Sequence, residues 1–586
     1  MYSLEAGVFY LLSSSKTHYK EASMHNDPKP TLDTESIADN YLHRMIEDDI
    51  KAEVYHRGIC TRFPPEPNGY LHIGSIYAIN INHTIAKKYN GHFNLRFDDT
   101  NPLKEDMEYV NAIIEDMRWM GYLEEDRIYF GSDYSEQIYE YALKLIRDGK
   151  AYICHLNQEE MKEYRGTLTE VGKNSPYRDR SVEENLDFFT QMRSGALPDG
   201  TCVLRAKIDM SASNINMRDP VIYRIMHATH YRTGDNWCIY PMYDYAHPIQ
   251  DAMENITHSL CSIEFRNHRP LYEWVLENLE LVEPPRQREF GRMNMTGVVT
   301  SKRYLKELVF GKHVDGWDDP RLSTLKGLRR RGFTPEAIKD FVNSIGISRD
   351  NSTIDFAMIS SSIRQDLKAK APALMAVLDP LKLVITNLPD DHIEYVTIEN
   401  NTENPDMGNR EVAFTKEIFI ERDDFLEEPV KGYKRLTPGV EVRLRGAYFV
   451  KAESIVKDAE GNITEIHCTY DPETKSGSGF NARKPAATIH WVSATESIEA
   501  TVNIYDKLFE DDQIAKDHTL TWDERINPNS LVVLKSCRLE KALATAQKED
   551  KFQFIRHGYF VVDYKYSTEA HLVFNRIVPL KDSWQK

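Results

Sequence analysis

TRFPPEPNGYLHIGSIYA, residues 61–78, decides how the rest of the chain is read. An apolar run from Val54 to Phe63 ends at Pro64 and Pro65, and Pro67, Asn68 and Gly69 prolong the break. His72 and Gly74 follow. From Ser75 onward Ile76, Ile79, Ile81 and Ile85 recur at roughly helical spacing. The pattern predicts a strand, a tight loop and a helix. At such a junction the first helical N–H groups lack intrahelical partners and the helix dipole adds partial positive charge, so an anion is the usual occupant. Gly74 has no Cβ, so a flat ring or a ribose can approach the backbone. His72 supplies a donor that is neutral or charged near neutral pH. Taken alone, one His-x-Gly reads equally well as a proline-rich turn with a structural histidine.

The chain has 586 residues, enough for several domains, and 41% apolar content supports ordinary cores. A net charge of −18 argues against an unpatterned nucleic-acid glue, although a local basic groove on an acidic protein suffices to bind RNA. The cysteines at 60, 154, 202, 238, 261, 468 and 537 are scattered and none forms a CxxC, so neither a disulfide framework nor a zinc site is indicated. A reducing, cytoplasmic setting fits, and no apolar run approaches the length of a membrane span. AGVFYLL, residues 6–12, lacks a preceding basic region and so is not read as a signal peptide. Met24 precedes a polar stretch, and either the first 23 residues are disordered or Met24 is the start.

Working outward, residues 35–53 read as one amphipathic helix with Ile37, Tyr41, Met45 and Ile46 on one side. GHFNLRFDDTNP, residues 91–102, alternates into a second strand ending at Asp98 and Asp99. In a parallel sheet both strand ends face one rim, which brings Asp98 beside the HIGS loop, where a carboxylate can hold an ammonium group. Asp99 reads as an Asx turn closing the strand. Residues 133–242 form an insertion of mixed pattern, with SVEENLDFF as a capped helix and CVLRAKIDM and RDPVIYRIM as strands. Tyr243, Asp244 and His247 then come off a strand end into a helix, and a phenol and an imidazole four residues apart suit a polar side chain. Thr300-Ser301-Lys302-Arg303 opens an apolar-periodic helix. Arg329 to Arg331 read either as a solvated face or as a basic turn beside RNA phosphate. From about 371 short strands and turns at roughly ten-residue spacing imply β-barrels or sandwiches. There Lys434, Arg435, Arg443 and Arg445 interleave with Tyr433 and Tyr448, a mixture suited to single-stranded RNA or to a charged outer sheet face.

RFPPEPNGYLHIG resembles the HIGH signature of class I aminoacyl-tRNA synthetases in the glutaminyl- and glutamyl-tRNA synthetase branch, with Ser75 at the second His. TSKR resembles the second signature of that class, KMSKS, with Thr300 at the Met. LRFDDTNP, YRGTLT, GKNSPYRDRSVEENL, YPMYD, THSLC, GWDDPR, YKRL, EVRLR and HWVSA extend the resemblance from about residue 40 to the end. It implies an α/β plus all-β chain. A disordered extension (1–34) precedes a Rossmann-type catalytic domain (35–132 and 243–292), which is split by an acceptor-stem-binding insertion (133–242). A helical subdomain with the TSKR loop (293–370) and two anticodon-binding β-barrels (371–586) follow.

The resemblance also implies a reaction: L-glutamine is activated by ATP, with Mg2+, to glutaminyl-adenylate, then transferred to the 2′-hydroxyl of the terminal adenosine of glutamine tRNA. No structural metal and a monomer are expected. His72, Ser301 and Lys302 would be catalytic. Glu66, Pro67, Asn68, Ile73, Gly74, Ser75, Ile76, Tyr77, Ala78, Ser262, Arg292, Met293 and Thr300 would complete the ATP site. Arg62, Asp98, Tyr243, His247 and Cys261 would hold glutamine, Asn267 would meet the acceptor stem, and Tyr433, Lys434, Arg435, Gln553 and Arg556 the anticodon. A γ-carboxylate needs a cation to offset its desolvation, so neutral Cys261, with Met242, resembles the glutamine form. The alternatives are a glutamyl-tRNA synthetase of the same branch and a catalytically silent tRNA-binding paralogue. Besides Ser75 and Thr300, the departures are Asn267 for an acidic residue and Ala373 and Gly432 for polar ones.

Overall fold

The protein is described by a computed structural model over residues 40–581. The 1–34 extension, Met24 and the beginning of the predicted 35–53 helix lie outside the described residues. Helix α1 (Tyr41–Lys51) is capped by Asn40, whose side chain accepts from the N–H groups of Leu42 and His43. It is followed by β1 (Cys60–Phe63), α2 (Ile73–Lys88), β2 (His92–Phe97), α3 (Met107–Trp119) and β3 (Ile128–Phe130). Strand β1 is shorter than the apolar run from Val54 suggests. Tyr55, His56 and Arg57 are spent on the 257–284 side of the molecule, with the Tyr55 hydroxyl donating to the Thr257 carbonyl (2.8 Å) and Arg57 pairing with Glu283 (2.9 Å).

The insertion contributes α4 (Ser135–Arg147), β4 (Ala151–Cys154), α5 (Gln158–Arg165), α6 (Val182–Arg193), β5 (Val203–Ala206), β6 (Val221–Ile225) and β7 (Ile239–Pro241). The four strands form an antiparallel sheet in sequence order. The predicted cap on SVEENLDFF is present, with Ser181 and Glu184 forming a reciprocal capping box. The chain then returns through α7 (Tyr243–Met253), β8 (His258–Ser262), α8 (Arg269–Leu279) and β9 (Arg286–Phe290). Tyr245 and Ile249 of α7 and Val275 of α8 share one core with Phe189, Leu204 and Tyr223, which fixes the insertion to the catalytic sheet.

Strands β1, β2 and β3 pair in parallel, as do β8 and β9. The Thr257 N–H donates to the Cys60 carbonyl (2.9 Å) and joins the two ladders in the order β3-β2-β1-β8-β9. Chain order reverses at β1, and in open parallel sheets ligands bind outside the carboxyl ends of the strands at such a switch point. The quoted loop leaves that end of β1.

β10 (Met293–Thr296), α9 (Lys302–Phe310), α10 (Leu325–Arg331), α11 (Pro335–Ile345), β11 (Ser352–Asp355) and α12 (Ile359–Lys368) follow, with β10 and β11 paired in parallel. Two seven-stranded sheets make up the rest. One runs from the strand Pro380–Ile385 to Val492–Ser493 around Trp491, and the other from Ala373–Leu374 to Val573–Pro579 around Phe554, Phe560 and Phe574. The first two of the three consecutive arginines are spent on protein carboxylates. Arg329 pairs with Glu115 and Glu549, and buried Arg330 pairs with Asp315 (2.7 Å) and Asp563 (3.0 Å), so α10 is tied to the last sheet. All seven cysteines are free, and no described helix is long and apolar enough to cross a membrane.

Candidate active site

The loop between β1 and α2 is held by main-chain bonds. Pro65 and Pro67 carbonyls accept from the N–H groups of Asp98 (3.0 Å) and Asp106 (3.1 Å), which brings the end of β2 against the loop as predicted. Helix α2 begins at Ile73, two residues earlier than the apolar spacing suggests, because His72 caps it: its Nδ1 accepts the Gly74 N–H (3.1 Å). A Cβ on Gly74 would stand 3.0 Å from the His72 ring, so the glycine serves this cap as well as any ligand. Burial, with Lys302 and Arg292 nearby, pushes the His72 imidazole down to about 4. With Nδ1 accepting, the proton of the neutral ring sits on Nε2, which presents a fixed donor. The Ile73 N–H donates to the Ser323 carbonyl (3.0 Å), so residues before α10 brace the same turn. Nothing in the sequence motif announced that brace.

Ser301 caps α9 without a side-chain hydrogen bond, and Lys302 begins the helix. The lysine stem lies over Gly69, where a Cβ would meet it at 3.6 Å, and Nζ donates to Asn68 Oδ1. Lys302 and the HIGS loop are therefore brought together as expected from their separate motifs. Burial lowers the Lys302 ammonium below its ordinary range. Ser75 stands on the first turn of α2, its N–H bonded to the His72 carbonyl (2.8 Å). Across the rim, Arg292 Nη1 pairs with Glu264 (3.0 Å), and the Ser262 hydroxyl reaches the same carboxylate (3.4 Å). Met293 is buried at the start of β10.

Asp98 accepts only from the Thr100 hydroxyl (3.1 Å) among the described side chains, and burial raises its carboxyl to about 6. Asp99 differs from the turn-closing role predicted for it. It accepts from the Ser132 N–H (2.6 Å), the Ser132 hydroxyl (2.7 Å) and the Tyr231 hydroxyl (3.0 Å), and so ties the strand end to the insertion. The Tyr243 ring stacks on His247 at 4.7 Å.

Beneath this rim lies a cluster that the sequence did not announce. Arg62 is 1% exposed and donates to Asp251 (3.0 Å), Ser259 Oγ (2.8 Å) and the Leu260 carbonyl (2.9 Å), besides abutting His247 Nε2. Arg96 is fully buried and pairs with Asp251 (2.8 Å) and Glu254 (3.2 Å), while its Nη2 donates to His247 Nδ1 (2.8 Å). Arg62 and His247, expected among the glutamine-facing groups, are thus committed to protein partners one layer below Tyr243. The two guanidiniums hold the Asp251 carboxyl far below its ordinary value, and burial keeps His247 neutral. The signal was present in the spacing: His247, Asp251 and Glu254 lie on one face of α7 at i, i+4 and i+7. Cys261, on β8, is half-buried, and its thiol is pushed up to about 12 by burial, so it stays neutral.

Asn267 is exposed, and its carbonyl accepts from Asn214 (2.7 Å) and Asn216 (3.1 Å) of the insertion. In the β region, Arg435 and Arg556 converge on buried Asp424 at 3.0 and 2.6 Å. Tyr433, exposed Lys434 and Arg435 line an open cavity of about 720 Å³ with Arg422. Arg443 and Tyr448 are taken up by protein partners, Arg443 by Ser476 (2.9 Å) and Tyr448 by Glu394 (2.9 Å), and do not line that cavity. Gln553 lies opposite Ala373 in register, so the small residue leaves space beside it. Gly432 has φ +92°, a conformation that favours glycine and accounts for the lost polar side chain.

Glu421, His490 and His557 place three ligating atoms within 4.8 Å of one another. They satisfy one another instead: Arg556 donates to His490 Nδ1 (3.3 Å), which leaves the Nε2 proton for Glu421 (3.3 Å), and His557 Nε2 reaches the same carboxylate (2.7 Å). A histidine that accepts from arginine on one nitrogen is poorly set to ligate with the other.

The family model described as tRNA synthetases class I (E and Q), catalytic domain, matches residues 58–369. Two models of the anti-codon binding domain of the same class match residues 371–471 and 488–563. A glutamine–tRNA ligase of Clostridium perfringens is 55% identical over 93% of this chain and 98% of that relative. One from Clostridioides difficile is 53% identical over 94% and 100%, and one from Pseudomonas syringae 50% identical over 96% and 98%. With a parallel sheet switched at β1, a His72–Lys302 rim above it and two β-sheet domains behind, the chain belongs to the class I tRNA synthetases of the glutamate and glutamine type.

Proposed function

We propose that this chain is an ATP-dependent glutamine–tRNA ligase. The observation that carries the reading is the unsaturated rim: His72 Nε2, the Lys302 ammonium, the Asp98 carboxylate and the Tyr243 hydroxyl keep donors and acceptors open above a floor whose groups are spent. Asp98 takes the α-ammonium of glutamine, and Tyr243 stands beside it. The glutamine carboxylate attacks the α-phosphorus of ATP, and pyrophosphate leaves as the P–O bond to the β-phosphate breaks. Lys302 and the His72 Nε2–H stabilise the charge developing on the phosphates, and magnesium enters with the nucleotide. The 2′-hydroxyl of the terminal tRNA adenosine then attacks the acyl carbon, and AMP departs. Positioning and charge stabilisation do the catalysis. Neutral Cys261 favours glutamine over glutamate, since Arg62, the guanidinium on its side of the site, is already paired with Asp251 and is not free for a γ-carboxylate.

In this reading the insertion grips the acceptor end, with Asn267 at its border, and the cavity at Tyr433, Lys434 and Arg435 receives anticodon bases. The chain works in the cytoplasm as a monomer. ATP–pyrophosphate exchange with glutamine or glutamate, with and without glutamine tRNA, tests the reading. Exchange with glutamine plus tRNA alone is the expected result. Exchange with glutamate, or none with either amino acid, overturns it.

A further inference from the structure

A cavity of about 360 Å³ opens between the helical region and the last β-sheet, lined by none of the groups used above. Its walls are uneven in charge. Arg331, at the end of α10, donates only to main-chain carbonyls, Ile577 (3.2 Å) and Pro320 (3.5 Å). Arg576 donates only to the Tyr505 carbonyl (3.5 Å). Neither has a carboxylate within ion-pair distance among the described residues, and Lys507 joins them on the lining without an ion pair. Arg321 also lines the cavity but is committed to Asp319 (2.7 Å). Two carboxylates face the same space, Asp355 and Asp506, and each is turned to a main-chain amide: Asp355 accepts from the Ala357 N–H (2.9 Å) and Asp506 from the Lys507 N–H (2.7 Å). The lining therefore carries three cations without an ion pair and two carboxylates, of which Asp506 acts on both guanidiniums from beyond ion-pair distance.

Half-buried guanidiniums without a direct ion pair are costly, and burial lowers both Arg331 and Arg576 below their ordinary range, with Asp506 offsetting only part of the effect. Such groups are relieved by an anion, and the guanidinium fork suits phosphate. The lining also has apolar residues, among them Phe356, Leu328 and Val578. The volume sits near the lower end of the range of about 300–1,000 Å³ found for small-molecule sites. We infer that this cavity is a binding site for a small phosphomonoester, its phosphate between Arg331, Arg576 and Lys507 and its organic part against Phe356.

The cavity also touches the base of the loop that carries Lys302. Gly297 and Val298 line it, and the Gly297 N–H donates to Asp512 (2.9 Å) of the β region. Occupancy would thus bridge the Lys302 loop and the last β-sheet, and the site would act on the reaction through loop position.

The test is equilibrium dialysis of the full chain with radiolabelled phenyl phosphate or inorganic phosphate, with saturating ATP present to fill the active site. One equivalent of phenyl phosphate that ATP does not displace is the expected result, bound more tightly than inorganic phosphate. Arg576→Gln and Lys507→Gln should each weaken it at least tenfold. Lys507 is exposed, so its variant keeps the test readable should Arg576→Gln melt early. No ATP-resistant binding, or binding untouched by either substitution, overturns the inference. Full displacement by glutamine tRNA, with tRNA affinity itself falling in both variants, would assign the site to a tRNA backbone phosphate and overturn the small-molecule reading. Because the readout is binding, it stands or falls separately from the aminoacylation assay.

Discussion

The rim and the floor of the catalytic sheet use similar side chains to opposite ends. On the floor, Arg62, Arg96, His247 and Asp251 are buried and bound to one another, and little capacity is left over. On the rim, His72, Lys302 and Asp98 each make one side-chain hydrogen bond within the protein and face open space. Both layers look equally functional as motif residues. What separates them is how much of their hydrogen-bonding capacity the protein itself consumes. A group spent on protein partners positions others, whereas a group held by one bond is poised for a ligand.

The sharpest way to break this contrast is at Asp251. Asp251→Asn leaves two guanidiniums buried without their shared carboxylate, and removal of one partner from such a cluster costs about 3–5 kcal/mol. Calorimetry should show a large drop in melting temperature. An unchanged melt would mean that the floor is not an ion cluster that holds the sheet. Lys302→Ala should do the reverse, with an unmoved melt and pyrophosphate exchange slower by about 10²–10³-fold, the usual effect of losing one donor to developing charge. Equal destabilisation in the two variants would abolish the distinction between layers.

A smaller effect is read by pH. Burial raises the Asp98 carboxyl to about 6, so its ionised form, which holds an ammonium, is lost as pH falls through that value. The specificity constant for glutamine should fall by about tenfold per pH unit below the inflection. The KM for ATP should stay level across the same window, because His72 stays neutral down to about 4. In Asp98→Asn the inflection should vanish, and its persistence would move the titration to another group. The smallest effect expected is at Ser75. Ser75→His puts a ring where a hydroxyl is able to donate one hydrogen bond, and the barrier should fall by no more than about 1 kcal/mol, the net worth of one hydrogen bond. A gain of two orders of magnitude would show that the serine leaves the rim seriously incomplete.

The loop, the second signature and the β region after residue 371 were all legible in the sequence, because each rests on local spacing or on a contiguous motif. Residues that act across the fold were not. Arg96 sits inside LRFDDTNP, two residues before Asp98 and so on the same side of the strand, yet its guanidinium is spent on the protein. Its partners come from α7, more than 150 residues on. The partners of Arg62 were illegible for the same reason: a guanidinium at a strand end can turn up to a ligand or down to Asp251, and α7, which carries Asp251, arrives far along the chain. The arginine run 329–331 was weighed as surface because nothing local reveals Asp563, 233 positions away from Arg330. In the β region, composition counted Arg443 and Tyr448 with the RNA-facing group, although distant partners, Ser476 and Glu394, take up both.

That Arg330 clamp has a consequence for how the molecule comes apart. One buried cation is shared between a helix beside the HIGS brace and a sheet at the far end of the chain. Neither piece can open without stranding a charge held by the other, so hydrogen exchange in α10 and in the strand Gly558–Val562 should slow and quicken together. The two ends then behave as one cooperative unfolding unit. A protease that nicks a surface loop of the last sheet would silence the catalytic half without ever touching it.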